Sequence, residues 1–180
     1  RKNIEIILIN DYSTDKSLKI CNFLEKTNKS IKVIHHKKNL GVAQSRNDGI
    51  RASGGKYLIF LDSDDYLQKK SLKNLEKLVK IKQNPDVIIG RYKKATYPYS
   101  NMDLINIGLK INNNPERLIS YINRKKFDLD ECWPFIVRRS FIKKNKIYFM
   151  NIRIGEDEYY VAQILCLMKS YACLSKDYYF

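Results

Sequence analysis

Three carboxylates crowd the stretch FLDSDDYL, residues 60–67, where the apolar run Tyr57-Leu58-Ile59-Phe60-Leu61 stops at Asp62 and Asp64 and Asp65 follow. Like charges this close repel, and each resists ionising beside the others. A divalent cation would compensate them. Mg²⁺ and Mn²⁺ take oxygen ligands, often one or two carboxylates together with substrate phosphates, and D-x-D spacing in a tight turn brings two carboxylates toward one point. An acidic helix cap is the plainer reading, and the position at the end of a buried strand weighs against it.

A second acid, Asp11, follows the run IEIILI, residues 4–9, and precedes Ser13 and Thr14. Ser13 or Thr14 is expected to cap the next helix, which leaves Asp11 to accept hydrogen bonds from a nucleobase N–H or a ribose hydroxyl. Arg46 reads either as a solvated helix residue or as a guanidinium aimed at a base or diphosphate. Glu156, Asp157 and Glu158 open the last helix, where acids are favoured in any case. The functional reading makes one of them a general base, Asp157 first, ionised at neutral pH. The only histidines, His35 and His36, are adjacent, which argues against a metal–histidine cluster or a Ser-His triad. Trp133, the sole tryptophan, is assigned to the core.

The pattern that positions these groups alternates strand and helix. Strands are expected at Ile4–Ile9, Ile31–Ile34, Lys56–Leu61, Val87–Ile89 and Trp133–Val137. Helices are expected at about Lys16–Thr27, at Val42–Ala52 and around Leu72–Val79, at Glu116–Ile122, from a Ser140 cap to Asn145, and at Tyr159–Met168. Tyr97–Tyr99 and Asn112–Pro115 read as irregular. Such alternation predicts an α/β fold with a mainly parallel sheet, whose ligands bind beyond the carboxyl ends of the strands. Asn10-Asp11 and Asp62–Asp65 both lie at such ends, so one crevice can hold both.

At 180 residues the chain is long enough for one domain with a real core. No apolar run approaches the roughly 20 residues of a membrane-spanning helix, and there is no signal-peptide pattern. Cys21, Cys132, Cys166 and Cys173 form no C-x-x-C pair. They read as reduced thiols of a cytoplasmic protein rather than zinc ligands. The net charge of +15 is spread along a Lys-rich chain instead of massed in a patch. It argues against nucleic-acid binding and leaves room for peripheral contact with an anionic membrane. Neither G-x-x-x-x-G-K-[ST] nor G-x-G-x-x-G occurs, which sets aside P-loop and related phosphate-loop enzymes.

Three stretches in order, IEIILINDYSTDKS, NLGVAQSRNDGIRASGGKYLIFLDSDDYL and RIGEDEYYVAQIL, resemble glycosyltransferase family 2. The resemblance implies a GT-A (Rossmann-like) fold, a mostly parallel sheet flanked by helices. Residues 1–90 would be the nucleotide-sugar-binding part and residues 91–180 the acceptor-side part of one domain. It implies that Asp11, Arg46, Asp62 and Ser63 contact the nucleotide sugar. Asp64 or Asp65 would bind Mn²⁺ or Mg²⁺ on the diphosphate, and Asp157, with Glu156 as fallback, would be the catalytic base. The implied reaction is an inverting transfer of one sugar, from a UDP-sugar or similar donor to a saccharide or lipid-linked acceptor, in bacterial surface glycan synthesis. The Q-x-x-R-W motif of the family's processive synthases is absent.

The chain departs from the family at three places. Asn10 stands where the family has Asp, and Tyr12 where it has Gly. The strand and helix that normally precede IEIILIN are missing, and the chain does not begin with Met, so a longer parent polypeptide is expected. The alternative to an enzyme is a catalytically inactive module of the same fold that binds a nucleotide or a partner.

Overall fold

The computed structural model describes residues 3–67, 71–79, 84–92 and 132–179. The β-branched run at the N-terminus forms β1 (Ile6–Asn10), which pairs in parallel with β2 (Ile31–His35), Ile6 opposite Ile31 and Asn10 opposite His35. Between them runs α1 (Ser17–Thr27). Neither Ser13 nor Thr14 caps it. Asp15 Oδ1 accepts the Ser17 N–H at 2.9 Å, while Ser13 is drawn back to Asn10, whose Nδ2 donates to Ser13 Oγ at 2.9 Å. That backward turn passes through Tyr12 at φ +61°, a left-handed conformation that favours glycine. After β2, Gly41 at φ +84° leads into α2 (Val42–Ala52), whose bounds match the sequence expectation.

The second sheet has the order β3-β5-β4-β6, with β3 (Tyr57–Leu58), β4 (Val87–Tyr92), β5 (Phe135–Arg138) and β6 (Tyr171–Tyr179). β3, β4 and β6 run in one sense and β5 runs against them. The strand expected over Lys56–Leu61 is paired only at Tyr57 and Leu58, with β5 as its sole partner among the described residues. β6 was not anticipated: its mixed run YACLSKDYY has no clean alternation, and its place follows from the free edge of β4.

Three helices join this sheet: α3 (Ser71–Val79), α4 (Arg139–Asn145) and α5 (Glu156–Leu167). Ser140 does not cap α4. The helix starts directly from β5 with Arg138 at the cap, which places Ser140 inside the first turn. α5 begins three residues before the expected Tyr159, since Gly155 at φ +90° turns the chain and the acids of the first turn suit a helix N-terminus. The expected helix Glu116–Ile122 and the irregular stretches Tyr97–Tyr99 and Asn112–Pro115 lie outside the described residues.

The apolar core belongs to the second sheet: Val87, Ile88, Phe135, Ile136 and Val137 pack with Phe141, Ile142, Tyr160, Val161 and Ile164. Trp133 and the free thiol of Cys132 are buried with them. By contrast α1 buries no residue, and Ile20 and Phe23 are exposed. β1 pairs only with β2, and β3 only with β5, among the described residues. Between these strands lies a cleft of 1430 Å³, lined by successive residues of both (Ile7–Asn10 and Tyr57–Leu61), as open sheet edges would line it. Among the described residues no helix is long and apolar enough to cross a membrane.

Candidate functional site

At the carboxyl ends of β1 and β3 the cleft turns polar, and Asn10, Asp11, Ser13, Arg46, Asp62 and Ser63 line it. The two acidic stretches, far apart in sequence, therefore share one crevice. α2 supplies the link between them. Arg46 Nη2 donates to Asp62 Oδ1 at 3.0 Å, and Nη1 donates to Asp157 Oδ1 at 2.5 Å and to Glu156 Oε1 at 3.5 Å. The guanidinium is only 10% exposed. One cation thus gathers the end of β3 and the first turn of α5.

This grip depends on groups that sequence reasoning missed. The Asn47 side chain, buried, pairs both ways with the Phe149 backbone, donating to its carbonyl at 2.8 Å and accepting its N–H at 2.9 Å. That fixes the Phe149 ring beneath Arg46, 5.3 Å from the guanidinium carbon, where the ring's negative face attracts the cation. Phe149 in turn stacks on Tyr160 at 4.0 Å, and Phe60 meets both edge-on. Two signals were legible: Asn47 is a polar residue beside Arg46, and Phe60 lies in the apolar run that leads to Asp62.

The electrostatics follow from burial and neighbours. Burial pushes the Asp157 carboxyl up to about 6; the Arg46 guanidinium and the Cys132 thiol oppose that rise, and the charges of Glu156 and Asp62 add to it. Asp157 is still mostly ionised at neutral pH but lies closer to its protonated form than an ordinary carboxylate. Burial also pushes the Cys132 thiol well up, so it is a neutral donor toward Asp157. Arg46 remains charged throughout, its carboxylate neighbours outweighing its burial.

Asp11 sits on the opposite bank and is heavily tied. Its Oδ1 accepts the Leu40 N–H at 2.8 Å and faces His36 Nδ1 at 2.7 Å, and its Oδ2 accepts the Gly41 N–H at 2.7 Å. These bonds outweigh its burial and hold its carboxyl below the usual range. His35 turns the other way, its Nδ1 2.9 Å from Asn10 Oδ1. Neither histidine was singled out for a role in the sequence.

Asp64 and Asp65 stand on the turn after β3, where the Asp65 N–H donates to the Asp62 carbonyl at 3.2 Å. Asp64 is exposed and Asp65 half-buried. Among the described residues no three His, Cys, Asp or Glu side chains gather closely enough to hold a metal ion alone. The turn offers hard oxygen donors in the number that suits a cation completing its shell with water and ligand oxygens.

With this geometry in view, comparison with known proteins is decisive for the family. The model of glycosyl transferase family 2 matches residues 1–146. The chain belongs to that family. Among its relatives, glycosyltransferase GlyG of Streptococcus pneumoniae serotype 4 is 37% identical over 102 residues, covering 57% of this chain and 32% of the relative. Cholesterol galactosyltransferase of Borreliella burgdorferi is 29% identical, covering 99% of this chain and 51% of the relative. The crystal structure of S. aureus TarS 1–349 in complex with UDP-GlcNAc superposes with a TM-score of 0.80 at 23% identity, over 99% of this chain and 49% of that one. That likeness shows the GT-A fold. The chain spans about half the length of these relatives, or less.

Proposed function

We propose that this chain forms the donor-binding and catalytic part of an inverting, metal-dependent, non-processive glycosyltransferase. It moves one sugar from a nucleotide-diphosphate sugar, a UDP-sugar first, to a saccharide or lipid-linked acceptor hydroxyl in bacterial surface glycan synthesis, at the cytoplasmic side. The observation that carries the reading is the shared crevice. Asp11 and Asp62 face it from two strand ends, and Asp157 stands behind Arg46 with its carboxyl at about 6.

In this reading Asp11 accepts an N–H of the base, and Asp62 and Ser63 hold the ribose side. Arg46 positions Asp62 and Asp157 relative to each other. Asp64 or Asp65 would hold Mn²⁺ or Mg²⁺, which as a Lewis acid neutralises the leaving diphosphate. Asp157 takes the proton of the acceptor hydroxyl as that oxygen bonds to the anomeric carbon and the bond to the diphosphate breaks. Glu156, 3.5 Å from the same guanidinium, is the fallback base. A base near 6 is well matched to neutral pH: ionised, yet not so acidic that proton transfer loses its driving force. Residues 1–90 serve the donor, and residues 91–180 serve the acceptor and supply Asp157. TarS binding UDP-GlcNAc supports a nucleotide-sugar donor for a chain of this fold.

A second reading, an inactive nucleotide-binding module, is favoured by the direct Arg46–Asp157 ion pair, which engages the base before any acceptor arrives. Calorimetric titration of the chain with UDP, with and without Mn²⁺, tests the donor site. We expect Mn²⁺-dependent binding that is lost with EDTA and in the Asp64→Ala/Asp65→Ala double variant. UDP binding indifferent to all three would remove the metal-dependent reading. Binding without any sugar transfer or donor hydrolysis would favour the inactive module.

A further inference from the structure

We propose that His36 is a positioning residue for donor recognition, holding the Asp11 carboxylate so that one oxygen lone pair is presented to the ligand. The inference rests on the reading of Asp11 as a donor contact. His36 is 8% exposed and lies between two acids, Nδ1 at 2.7 Å from Asp11 Oδ1 and Nε2 at 3.1 Å from Asp48 Oδ2. A carboxylate only accepts, so the ring satisfies both sides only by donating from both nitrogens. The ring is thereby clamped at both ends and cannot flip.

The far anchor is itself fixed. Asp48 Oδ2 also accepts from Gln44 Nε2 at 3.1 Å, and Oδ1 accepts from Arg51 Nε at 3.2 Å. The His36 N–H donates to the Asn10 carbonyl at 3.0 Å, locking the residue to the end of β1. Three elements therefore meet at this ring: the end of β1, the loop 36–41 and α2, the helix that carries Arg46.

The consequence for Asp11 comes from counting. A carboxylate has about four lone-pair sites. His36 and the Leu40 N–H take both on Oδ1, and the Gly41 N–H takes one on Oδ2. One acceptor site on Oδ2 is left, on a residue that lines the cleft. Without His36 the carboxylate loses its one side-chain anchor and is held by the Leu40 and Gly41 N–H groups alone.

The test measures UDP affinity with Mn²⁺ by calorimetry for the chain, His36→Gln, Asp11→Asn and the double variant. Circular dichroism melts establish that each is folded at the assay temperature. His36→Gln keeps much of the side-chain volume but offers its donors from a single nitrogen, not from the two edges of a ring. We expect it to weaken UDP binding about tenfold, the worth of one charge-assisted hydrogen bond. The double variant should be no weaker than Asp11→Asn, because the histidine acts through the aspartate. In a transfer assay the donor KM should rise with kcat held, a split that mere loss of folded protein would not produce. Unchanged affinity in His36→Gln alongside a weakened Asp11→Asn overturns the proposal, as do losses that multiply in the double variant. Unchanged affinity in Asp11→Asn overturns the reading of Asp11 itself.

Discussion

At Asp86 one buried carboxylate meets Arg138 and the backbone N–H groups of Lys169 and Ser170; at Arg46 one guanidinium meets three carboxylates. Both clusters pair arginine with acid, and both tie separate elements together. The first joins the start of β4, the end of β5 and the approach to β6. Its single charge is matched by one guanidinium and two backbone N–H groups, so its reason to exist is cohesion. The second carries more acid than its shared cation balances, at the mouth of a cleft. An excess of like charge costs stability and persists where a ligand or a proton is meant to arrive. The balance of charge, more than the residue types, separates a structural ion pair from a candidate site.

Asp→Asn at the two places should break the symmetry most sharply. Asp157→Asn is expected to lower transfer roughly a thousandfold, the scale of a lost general base. The same change should raise stability at pH 7 by about 1–3 kcal/mol, read from denaturant midpoints. The sign follows from the carboxyl being raised to about 6 from an ordinary 3.8. The folded chain holds this proton more tightly than the unfolded one. Its contribution is therefore fully present below about pH 4 and is lost as pH rises through about 6, so an uncharged amide escapes the cost. Asp86→Asn should do the reverse, costing about 2–3 kcal/mol by removing the charge that pairs with Arg138 and setting an amide NH2 against one side's donors, with turnover per folded molecule unchanged. A destabilised Asp157→Asn would show the two clusters to be the same kind of thing.

Arg46→Gln sharpens the comparison next. The guanidinium lowers the Asp157 carboxyl, so its loss should move the acid limb of the kcat profile from near 6 to higher pH, with activity at pH 7 falling accordingly. An acid limb that stays in place would mean that Arg46 does not govern the base. The smallest effect is expected at Tyr12. Tyr12→Gly should add about 0.5–1 kcal/mol, because relief of the left-handed strain at φ +61° exceeds glycine's extra unfolded-state entropy.

Much of this was legible in the chain itself. α2 was bounded to the residue by Gly41 and Ser53, and Asp11, Arg46 and Asp62 were singled out by their places at strand ends and on that helix. The short β3 was not legible, since a strand's paired length depends on its neighbour and not on its own apolar run. Nor was the role of Phe149, which touches Arg46 across more than a hundred residues through the bond from Asn47. His36 gave no local signal, because its two acids come from β1 and α2 and only the fold brings them to one ring.

The open cleft has a mechanical consequence. β1, β2 and α1 contribute no apolar residue to the core, and α2 carries the contacts between Asp11's side of the crevice and Asp62's. A region so lightly anchored sits at the low end of local unfolding free energies. Any ligand touching both banks becomes a crossbeam between two separately hydrogen-bonded sheets. Occupancy then adds RT ln(1 + [L]/Kd) to the cohesion of the whole. Amide exchange in β1 and β2 should slow as ligand is added, well before the core of the second sheet responds.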